Sequence, residues 1–237
     1  MTKVSVSILD CDFENLDFEI DRINKSISDY IHLDIMDGSF VNRNTKDLFD
    51  IKKIKNLSKI PLDVHLMVDN PLDEIEIYSK MNPRIITVHI ENNKNVNECI
   101  ELIKSKNSEV GLAINPNTEI SLINPYLNSV DMVLVMSVYP GKGGQNFIES
   151  TFEKVKQLEK LKKKNNFKIS VDGGVNNTNS TNLKNSGTDI LVSGTFLIKN
   201  SDLDNAIKSL WNTWFLYFLS QKISIFIPIN IHIKISW

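Results

Sequence analysis

The sequence predicts an α/β fold, a closed (β/α)8 or TIM barrel in which eight parallel strands are covered by helices. Three observations support this prediction. Strand-like and helix-like segments alternate strictly, eight of each fit between residues 4 and 210, and their spacing is roughly even. A doubly wound open sheet is the alternative, but such a sheet usually has a glycine-rich first turn, and the first predicted turn, LDCDFEN, contains no glycine.

In the first half of the chain, alternation of apolar and polar residues predicts strands, and apolar residues three or four apart predict helices. The segment VSVSIL alternates like a strand, and Leu16, Ile20, Ile23 and Ile27 follow it with a helical period. On the same reasoning, the predicted strands are residues 4–9, 30–35, 61–68 and 84–90, and the predicted helices are residues 13–27, 48–57, 71–81 and 96–106.

The second half of the chain repeats this pattern. The predicted strands are residues 109–115, 130–138, 167–171 and 189–193, and the predicted helices are residues 118–127, 147–164, 178–186 and 203–210. Pro125 lies inside one of these helices. We expect that helix to be distorted or shortened, because proline has no N–H group to donate.

Residues 211–237 do not follow the pattern. We therefore predict a barrel domain over residues 1–210 and an appended apolar tail, outside the barrel, over residues 211–237. The tail contains the run WFLYFL, after which isoleucine occupies every second position from Ile223 to Ile235. This period favours an extended strand over a membrane-spanning helix, and Pro228 restricts such a segment to an edge strand or to disorder. A membrane-binding or partner-binding segment is the alternative.

Composition narrows the class of protein. The chain has 237 residues, a net charge of −2 and interspersed charges, so we expect no nucleic-acid partner. Its two cysteines match no metal-binding spacing and make a disulfide framework improbable, which favours a reducing cytoplasm. The N-terminus MTKVSVSILD has no signal-peptide pattern. We expect a cytoplasmic protein without a membrane partner.

The second predicted strand carries the first candidate site residues. His32 and Asp34 alternate there with Ile31, Leu33 and Ile35, so the two polar side chains share one face of the strand. The apolar face can then pack against the helices. A histidine and a carboxylate on one strand face are half of a plausible metal site.

Polar residues recur near the C-terminal ends of other predicted strands, where barrel enzymes gather their sites. His65 lies on the third strand, His89 on the fourth, and Asp172 follows the seventh. A structural role is an equal alternative for any single histidine. Together, however, His32, Asp34, His65 and Asp172 supply two imidazoles and two carboxylates, a set that suits Zn²⁺, Mn²⁺ or Fe²⁺.

Glycine-rich turns follow the last three predicted strands. They are PGKGGQ at residues 140–145, DGG at residues 172–174 and SGT at residues 193–195. Glycine alone is weak evidence, because tight turns need it anyway. Barrels often bind phosphate with the loops after strands seven and eight, so the three turns predict a phosphate site. Lys142 either adds positive charge there or faces solvent.

With these motifs the sequence resembles the ribulose-phosphate 3-epimerase family. The resemblance rests on SILDCDFENL, HLDIMDGSFV, DVHLMV, ITVHIEN, GLAINPNT, VMSVYPGKGGQNFI, VDGGVN and VSGTFLI, in family order between residues 4 and 199. It implies a (β/α)8 barrel with one divalent metal cation and no organic cofactor. It also implies interconversion of D-ribulose 5-phosphate and D-xylulose 5-phosphate, through an enediolate that the metal stabilises.

The resemblance also implies roles for individual residues. His32, Asp34, His65 and Asp172 match the metal ligands, and Asp34 and Asp172 also match the two acid/base residues. The residues that match substrate contacts are Ser7, His65, Gly141, Lys142, Gly143, Gly144, Gly173, Gly174, Gly194 and Thr195. Met36, Met67 and Met136 match methionines that line the site, although core packing alone would also explain them.

The sequence departs from the family pattern in three places within the barrel. Asp10 stands where the family usually has serine, FVNRNTKD replaces an FVPN segment, and Lys142 stands where an aromatic residue is common. Two alternatives therefore stay open: a 3-epimerase of a hexulose 6-phosphate, such as allulose 6-phosphate, and a non-catalytic barrel that binds sugar phosphate. We expect a small-molecule sugar phosphate as the substrate and a homo-oligomer in solution.

Overall fold

A computed structural model describes residues 1–91 and 94–211 of the chain. Eight parallel strands form a closed barrel in chain order, and the first strand pairs with the eighth through Val4 and Leu191. The predicted (β/α)8 barrel is confirmed. The strands are β1 Lys3–Ser7, β2 Tyr30–Met36, β3 Leu62–Met67, β4 Ile85–His89, β5 Glu109–Ile114, β6 Met132–Met136, β7 Lys168–Asp172 and β8 Ile190–Ser193.

Helices cover the outside of this barrel. They are α1 Leu16–Asn24, α2 Ile51–Leu57, α3 Pro71–Tyr78, α4 Val96–Ser105, α5 Thr151–Lys162, α6 Ser180–Ser186, α7 Thr195–Ile198 and α8 Leu203–Trp211. Ile31, Leu33 and Ile35 of β2 belong to one large buried cluster with Ile20 and Ile23 of α1. The apolar face of β2 thus packs against the helices, as its alternation predicted, and its polar face turns into the barrel.

The inside of the barrel is divided between polar and apolar side chains. The interior of β5, β6 and β8 is filled by a separate apolar cluster that includes Ala113, Met132, Leu134, Ile190 and Val192. By contrast, buried polar side chains inside the barrel are most numerous on β1 to β4, and they are Ser5, Ser7, His32, Asp34, Asp63, His65, Thr87 and His89. Asp172 joins them from the end of β7.

Two predicted helices differ most from the observed ones, and one observed helix was not predicted. Residues 118–127 contain only two 3₁₀ turns, Ile120–Leu122 and Asn124–Tyr126, because Pro125 cannot donate the hydrogen bond that an α-helix needs. The sixth predicted helix begins at Thr151 instead of residue 147, after the long glycine-rich loop. The short helix α7 after β8 was not predicted, since four residues are too few to display a helical period.

The last described helix, α8, continues through Trp211, one residue beyond the predicted boundary of the barrel domain. The Trp211 indole donates a hydrogen bond from Nε1 to the Thr2 carbonyl at 2.9 Å, and Lys184 donates to the Trp211 carbonyl. Residues 212–237 of the predicted tail lie outside the described residues. Among the helices of residues 1–91 and 94–211, none is long and apolar enough to cross a membrane.

Candidate active site

The strand register brings the predicted metal ligands together at the C-terminal end of the barrel. Asp34 of β2 is the direct neighbour of His65 on β3, and Asp172 is the last residue of β7. One ligand atom each from His32, Asp34, His65 and Asp172 lies within 4.8 Å of the other three. The four residues therefore form a single cluster. From the sequence, this cluster was predicted only because the four residues lie near the C-terminal ends of predicted strands.

Asp34 is at the centre of this cluster. Its Oδ1 atom lies 3.3 Å from His32 Nε2 and 3.2 Å from His65 Nδ1, and its Oδ2 accepts a hydrogen bond from Ser7 Oγ at 2.7 Å. Asp172 approaches from the other side, with Oδ2 3.9 Å from both His32 Nε2 and His65 Nδ1. Two carboxylates thus face each other across the two imidazoles.

The donor set fits a divalent cation. His32 Nδ1 is hydrogen-bonded to Asp63 Oδ2 at 2.8 Å, whereas His32 Nε2 is buried, faces the two carboxylates and makes no hydrogen bond within the described part of the chain. A metal-binding histidine has this arrangement, with one nitrogen on a carboxylate and the other directed at the ion. Two imidazole nitrogens and two carboxylate oxygens are ligands that Zn²⁺, Mn²⁺ and Fe²⁺ accept.

The surroundings push the pKa values of the two aspartates apart. Burial and, after it, the nearby charge of Asp34 together raise the pKa of Asp172 to about 7. Burial also acts to raise the pKa of Asp34, but His32 and His65 outweigh it and hold that pKa below its usual value. Burial lowers the pKa of His32, but Asp63 and Asp34 outweigh it and raise that pKa overall. With a raised pKa, the His32 ring holds a second proton, on Nε2. A cation bound to Nε2 would displace this proton, since a metal ligand must be deprotonated.

A cavity of about 500 Å³ opens above the cluster. Its lining includes the two aspartates Asp34 and Asp172 and all but one of the residues predicted to contact substrate. These lining residues are Ser7, Gly141, Lys142, Gly143, Gly144, Gly173, Gly174, Gly194 and Thr195, together with Met36, Met67 and Met136. His65 is the exception, because it is fully buried below the cavity floor. The structure therefore groups the predicted residues, and their roles stay predictions.

Two glycines of the DGG turn are required by its backbone. Gly173 has φ +115°, and a Cβ there would lie 2.4 Å from Val138 Cγ2. Gly174 has φ +63°, and a Cβ there would lie 2.8 Å from the Gln145 carbonyl. The turn after β7 thus packs directly against the glycine-rich loop after β6, so any larger side chain would push the two loops apart.

Asp10 lies in the same cavity, next to the predicted phosphate loops. Its Oδ2 accepts a hydrogen bond from Thr195 Oγ1, and a Cβ built at Gly143 would lie only 2.1 Å from that oxygen. Lys142 and Lys199 also line the cavity. The carboxylate that replaces the family's usual serine therefore contacts a residue of the third glycine turn directly.

Comparison with known proteins identifies the family of the chain. The sequence profile described as the ribulose-phosphate 3 epimerase family matches residues 3–198. The chain belongs to the ribulose-phosphate 3-epimerase family. The ribulose-phosphate 3-epimerase of Helicobacter pylori strain J99 is 39% identical over 212 residues, which cover 89% of this chain and 97% of that protein. The Bacillus subtilis protein of the same name is 36% identical over 213 residues, with coverage of 89% and 98%.

Solved structures resemble the chain in fold. The 3-hexulose-6-phosphate synthase from Salmonella typhimurium superposes with a TM-score of 0.66 over 89% of this chain and 97% of that one. The two sequences are only 13% identical. This similarity supports the barrel alone, whereas the 39% identity to the Helicobacter pylori protein supports the ribulose-phosphate 3-epimerase family.

Three polar residues next to the cluster were not assigned a role from the sequence of this ribulose-phosphate 3-epimerase family member. They are Asp63, His89 and Glu91. Asp63 contacts His32, and its position two residues before His65, on the same strand face, was a usable signal. His89 was noticed at a strand end but left unassigned, and Glu91 was missed because it lies beyond the strand. Burial lowers the pKa of His89 to about 4, so this ring is neutral at pH 7.

Proposed function

We propose that the chain interconverts D-ribulose 5-phosphate and D-xylulose 5-phosphate, with one divalent cation bound at its site. The single observation that carries this proposal is the convergence of Asp34 and Asp172 with two imidazoles below one open cavity. Epimerisation next to a ketone needs two proton-transfer groups on opposite sides of one carbon. The names and high coverage of the relatives support the same reaction.

Asp34 and Asp172 are the proposed acid/base pair. The residue on one side of C3 removes its proton, and the residue on the other side returns a proton to the opposite face, so the two exchange roles in the reverse reaction. The separation of their pKa values suits this division, because one group must be ionised while the other holds a proton. Ser7, which donates to Asp34 at 2.7 Å, keeps one carboxylate oxygen in place.

The cation would be held by His32, Asp34, His65 and Asp172. When bound, it supplies stabilisation of the negative charge that develops on the substrate oxygens after proton removal. The ligand set is compatible with Zn²⁺, Mn²⁺ and Fe²⁺. The scheme needs no organic cofactor, because both proton transfers and the charge stabilisation are already provided.

The phosphate of the substrate is proposed to lie against the three glycine turns. Gly143, Gly174 and Gly194 line the cavity from three successive loops, and Lys142 and Lys199 add positive charge at its edge. Barrels commonly bind phosphate in this place. The hexulose 6-phosphate alternative is less favoured because the relatives are named for ribulose phosphate. The non-catalytic alternative is less favoured because both carboxylates are present in the cluster.

One experiment separates these functions. The purified full chain, loaded in turn with Zn²⁺, Mn²⁺ or Fe²⁺, is given ribulose 5-phosphate or allulose 6-phosphate in D₂O, and the bound metal is measured in the same samples. We expect xylulose 5-phosphate carrying one deuterium at C3, and a higher kcat/KM for the pentulose. Higher kcat/KM for allulose 6-phosphate would select the hexulose alternative, and binding without deuterium exchange would select the non-catalytic barrel.

Homo-oligomeric assembly and a cytoplasmic location stay predictions. A sugar phosphate is the one partner that the proposed site requires, and the absence of nucleic-acid and membrane partners is likewise a prediction from the sequence. Size-exclusion chromatography with light scattering would measure the assembly state.

A further inference from the structure

His65 is connected to two residues that the proposed reaction does not use. Its Nδ1 faces the metal-site carboxylates, 3.2 Å from Asp34 Oδ1, while its Nε2 lies 2.9 Å from Nε2 of His89. The two rings are inclined by only 26°. His89 Nδ1 in turn lies 2.8 Å from Glu91 Oε2. These contacts form a continuous chain of hydrogen bonds, hereafter the His65–His89–Glu91 chain.

The outer end of this chain is fixed by backbone and side-chain donors. The second oxygen of Glu91, Oε1, accepts from the Asn115 backbone N–H at 2.7 Å and from Thr118 Oγ1. Lys154 donates to the carbonyls of both Asn115 and Thr118, at 2.9 and 2.8 Å, so the segment that carries these donors is itself held. The Glu91 carboxylate is therefore oriented from two directions.

The direction of the hydrogen bonds follows from the chemistry of each group. An ionised carboxylate can only accept, so the Nδ1 atom of His89 must carry the proton that Glu91 receives. His65 and His89 are both buried, which disfavours a charged ring. A neutral His89 with a proton on Nδ1 has a lone pair on Nε2, so His65 must donate from its own Nε2.

The same reasoning fixes the other nitrogen of His65. A neutral His65 that donates from Nε2 has a lone pair on Nδ1, which lies 3.2 Å from Asp34 Oδ1 and 3.9 Å from Asp172 Oδ2. A lone pair that faces carboxylate oxygens is favourable when a cation lies between them, so this tautomer is the one that a metal-bound site requires. The reverse set of tautomers would place two acceptors, His89 Nδ1 and Glu91 Oε2, opposite each other at 2.8 Å. Glu91 thus determines, through His89, which nitrogen of His65 is free to bind a cation.

We propose that His89 and Glu91 are positioning residues that hold His65 in the tautomer with an unprotonated Nδ1, ready to bind the divalent cation. This inference rests on the proposed role of His65 as a metal ligand. Neither residue takes part in the proton transfers. Their effect is on metal affinity, because groups that orient a metal-binding histidine typically change affinity by about 10- to 100-fold.

The test measures Zn²⁺ affinity of the full chain in the absence of substrate, by competition with a chelating dye. His89→Leu removes the acceptor for His65, and we expect Zn²⁺ to bind at least about tenfold more weakly. His89→Gln keeps an acceptor oxygen and an amide donor, and we expect it to recover part of the lost affinity. Thr87→Val is the matched control, since Thr87 is buried on the same strand and its hydroxyl has no hydrogen-bond partner among the described residues.

A second pair of variants covers the case in which His89→Leu does not fold. Glu91 is only partly buried, so Glu91→Ala is better tolerated, and it removes the acceptor for His89. We expect weaker Zn²⁺ binding for Glu91→Ala and partial recovery for Glu91→Gln. Nitrogen-15 NMR of histidine-labelled, Zn²⁺-loaded protein gives a direct readout: in the wild type, His65 should be protonated at Nε2 and His89 at Nδ1, and His89 should lose this preference in Glu91→Ala.

Two outcomes would overturn the inference. One is Zn²⁺ affinity within about twofold of wild type in folded His89→Leu or Glu91→Ala, whatever their melting temperatures. The other is a wild-type His65 protonated at Nδ1 in the NMR experiment. A wild-type chain that binds no divalent cation would instead contradict the proposed function, so the two failures are distinguishable.

Discussion

His32 Nδ1 lies 2.8 Å from Asp63 Oδ2, and this contact is completely buried inside the barrel. Ser5 Oγ donates to the same carboxylate oxygen at 3.1 Å, so Asp63 is held from a second strand. A carboxylate at this distance keeps the proton of His32 on Nδ1 and turns Nε2 toward Asp34 and Asp172. Both proposed histidine ligands are therefore oriented by a carboxylate, His32 directly and His65 through a second histidine.

Asp63→Asn should weaken metal binding. An amide can present its NH₂ group to His32 and so favour the wrong tautomer, and we expect Zn²⁺ affinity to fall by about tenfold or more. Competition with a chelating dye measures this change. Ser170→Ala is a suitable control, because Ser170 is also buried and its hydroxyl has no hydrogen-bond partner in residues 1–91 and 94–211. Equal losses of affinity in both variants would indicate general loosening of the barrel instead of a specific role for Asp63.

Asp172→Asn should stop epimerisation while the fold persists. The amide has nearly the same shape but cannot transfer the proton, and losing a general acid/base typically lowers the rate by about 10²-fold or more. Steady-state kinetics and thermal melting test the two parts of this statement. Deuterium exchange adds a sharper readout, since Asp34 alone should still exchange the C3 proton of one epimer without inverting it. A variant that keeps more than about a tenth of the wild-type rate would contradict this role.

Removal of the metal should abolish activity and lower the melting temperature. A ligand that binds only the folded state stabilises it by about 2.7 kcal/mol when its free concentration is 100 times its Kd. For a domain of this size that free energy corresponds to about 5–10 °C. We expect chelation to lower the melting point by this amount and re-addition of the ion to restore both properties. His65→Ala should not respond to re-addition, and full metal occupancy in that variant would show the ligand set to be wrong.

The ionised carboxylate of Glu109 should stabilise the fold at neutral pH and lose this effect in acid. Its carboxylate accepts from Arg84 at 2.5 Å and from Lys168 at 2.9 Å, and so links the starts of β4, β5 and β7. Burial acts to raise the pKa of Glu109, but the hydrogen bonds from Lys168 and Arg84 outweigh it and lower that pKa. Since the folded pKa is below the unfolded one, this stabilisation is present above the unfolded pKa and is lost as pH falls through the folded pKa.

Glu109→Gln should therefore lower the free energy of unfolding by about 1 kcal/mol at pH 7, and the difference should vanish in acid. Thermal melts at pH 7 and at pH values below the normal range for glutamate measure this. Glu101→Gln is the control, because Glu101 is exposed and its contact with Lys104 is 3.6 Å long. A Glu109→Gln difference that persists unchanged in acid would mean that shape, and not charge, makes the contribution.

The sequence predicted the barrel well because its strands have a strong signal. On β2, Ile31, Leu33 and Ile35 alternate with His32 and Asp34, so the two sets lie on opposite faces of the strand. The apolar face had to be buried against the helices, which fixes the orientation of the strand. Residues 118–127 were predicted as a helix that Pro125 distorts or shortens, and they form only two 3₁₀ turns, because Pro125 outweighs a weak apolar period.

The site was predicted only in part, since strand ends indicate which residues can meet but not which atoms do. The contact between His65 and His89 joins neighbouring strands at a register that a single sequence does not specify. Glu91 lies beyond its strand, and its partners Asn115 and Thr118 follow the next strand, so no local pattern connects them. The contact between Asp10 and Thr195 spans 185 positions of the chain.

The final prediction concerns the end of the barrel domain. Trp211 packs against the main core and donates a hydrogen bond to the Thr2 carbonyl, which ties α8 to the start of β1. A chain that ends at Trp211 should keep the wild-type kcat/KM and melting temperature, because it retains both contacts. A chain that ends at Leu210 loses the half-buried indole, and we expect about 1–2 kcal/mol less stability.

Thermal melting and steady-state kinetics of the two shortened chains and the full chain test this boundary. For a domain of this size, the loss of Trp211 corresponds to a melting point lower by about 3–6 °C. We expect little change in kcat/KM, because Trp211 contacts Thr2 at the start of β1, at the opposite end of the barrel from the site. Trp211→Phe in the full chain is the control, since it removes the hydrogen bond but keeps an aromatic ring on the core. If the chain ending at Trp211 melts as low as the chain ending at Leu210, residues 212–237 contribute to the fold and the tail prediction is wrong.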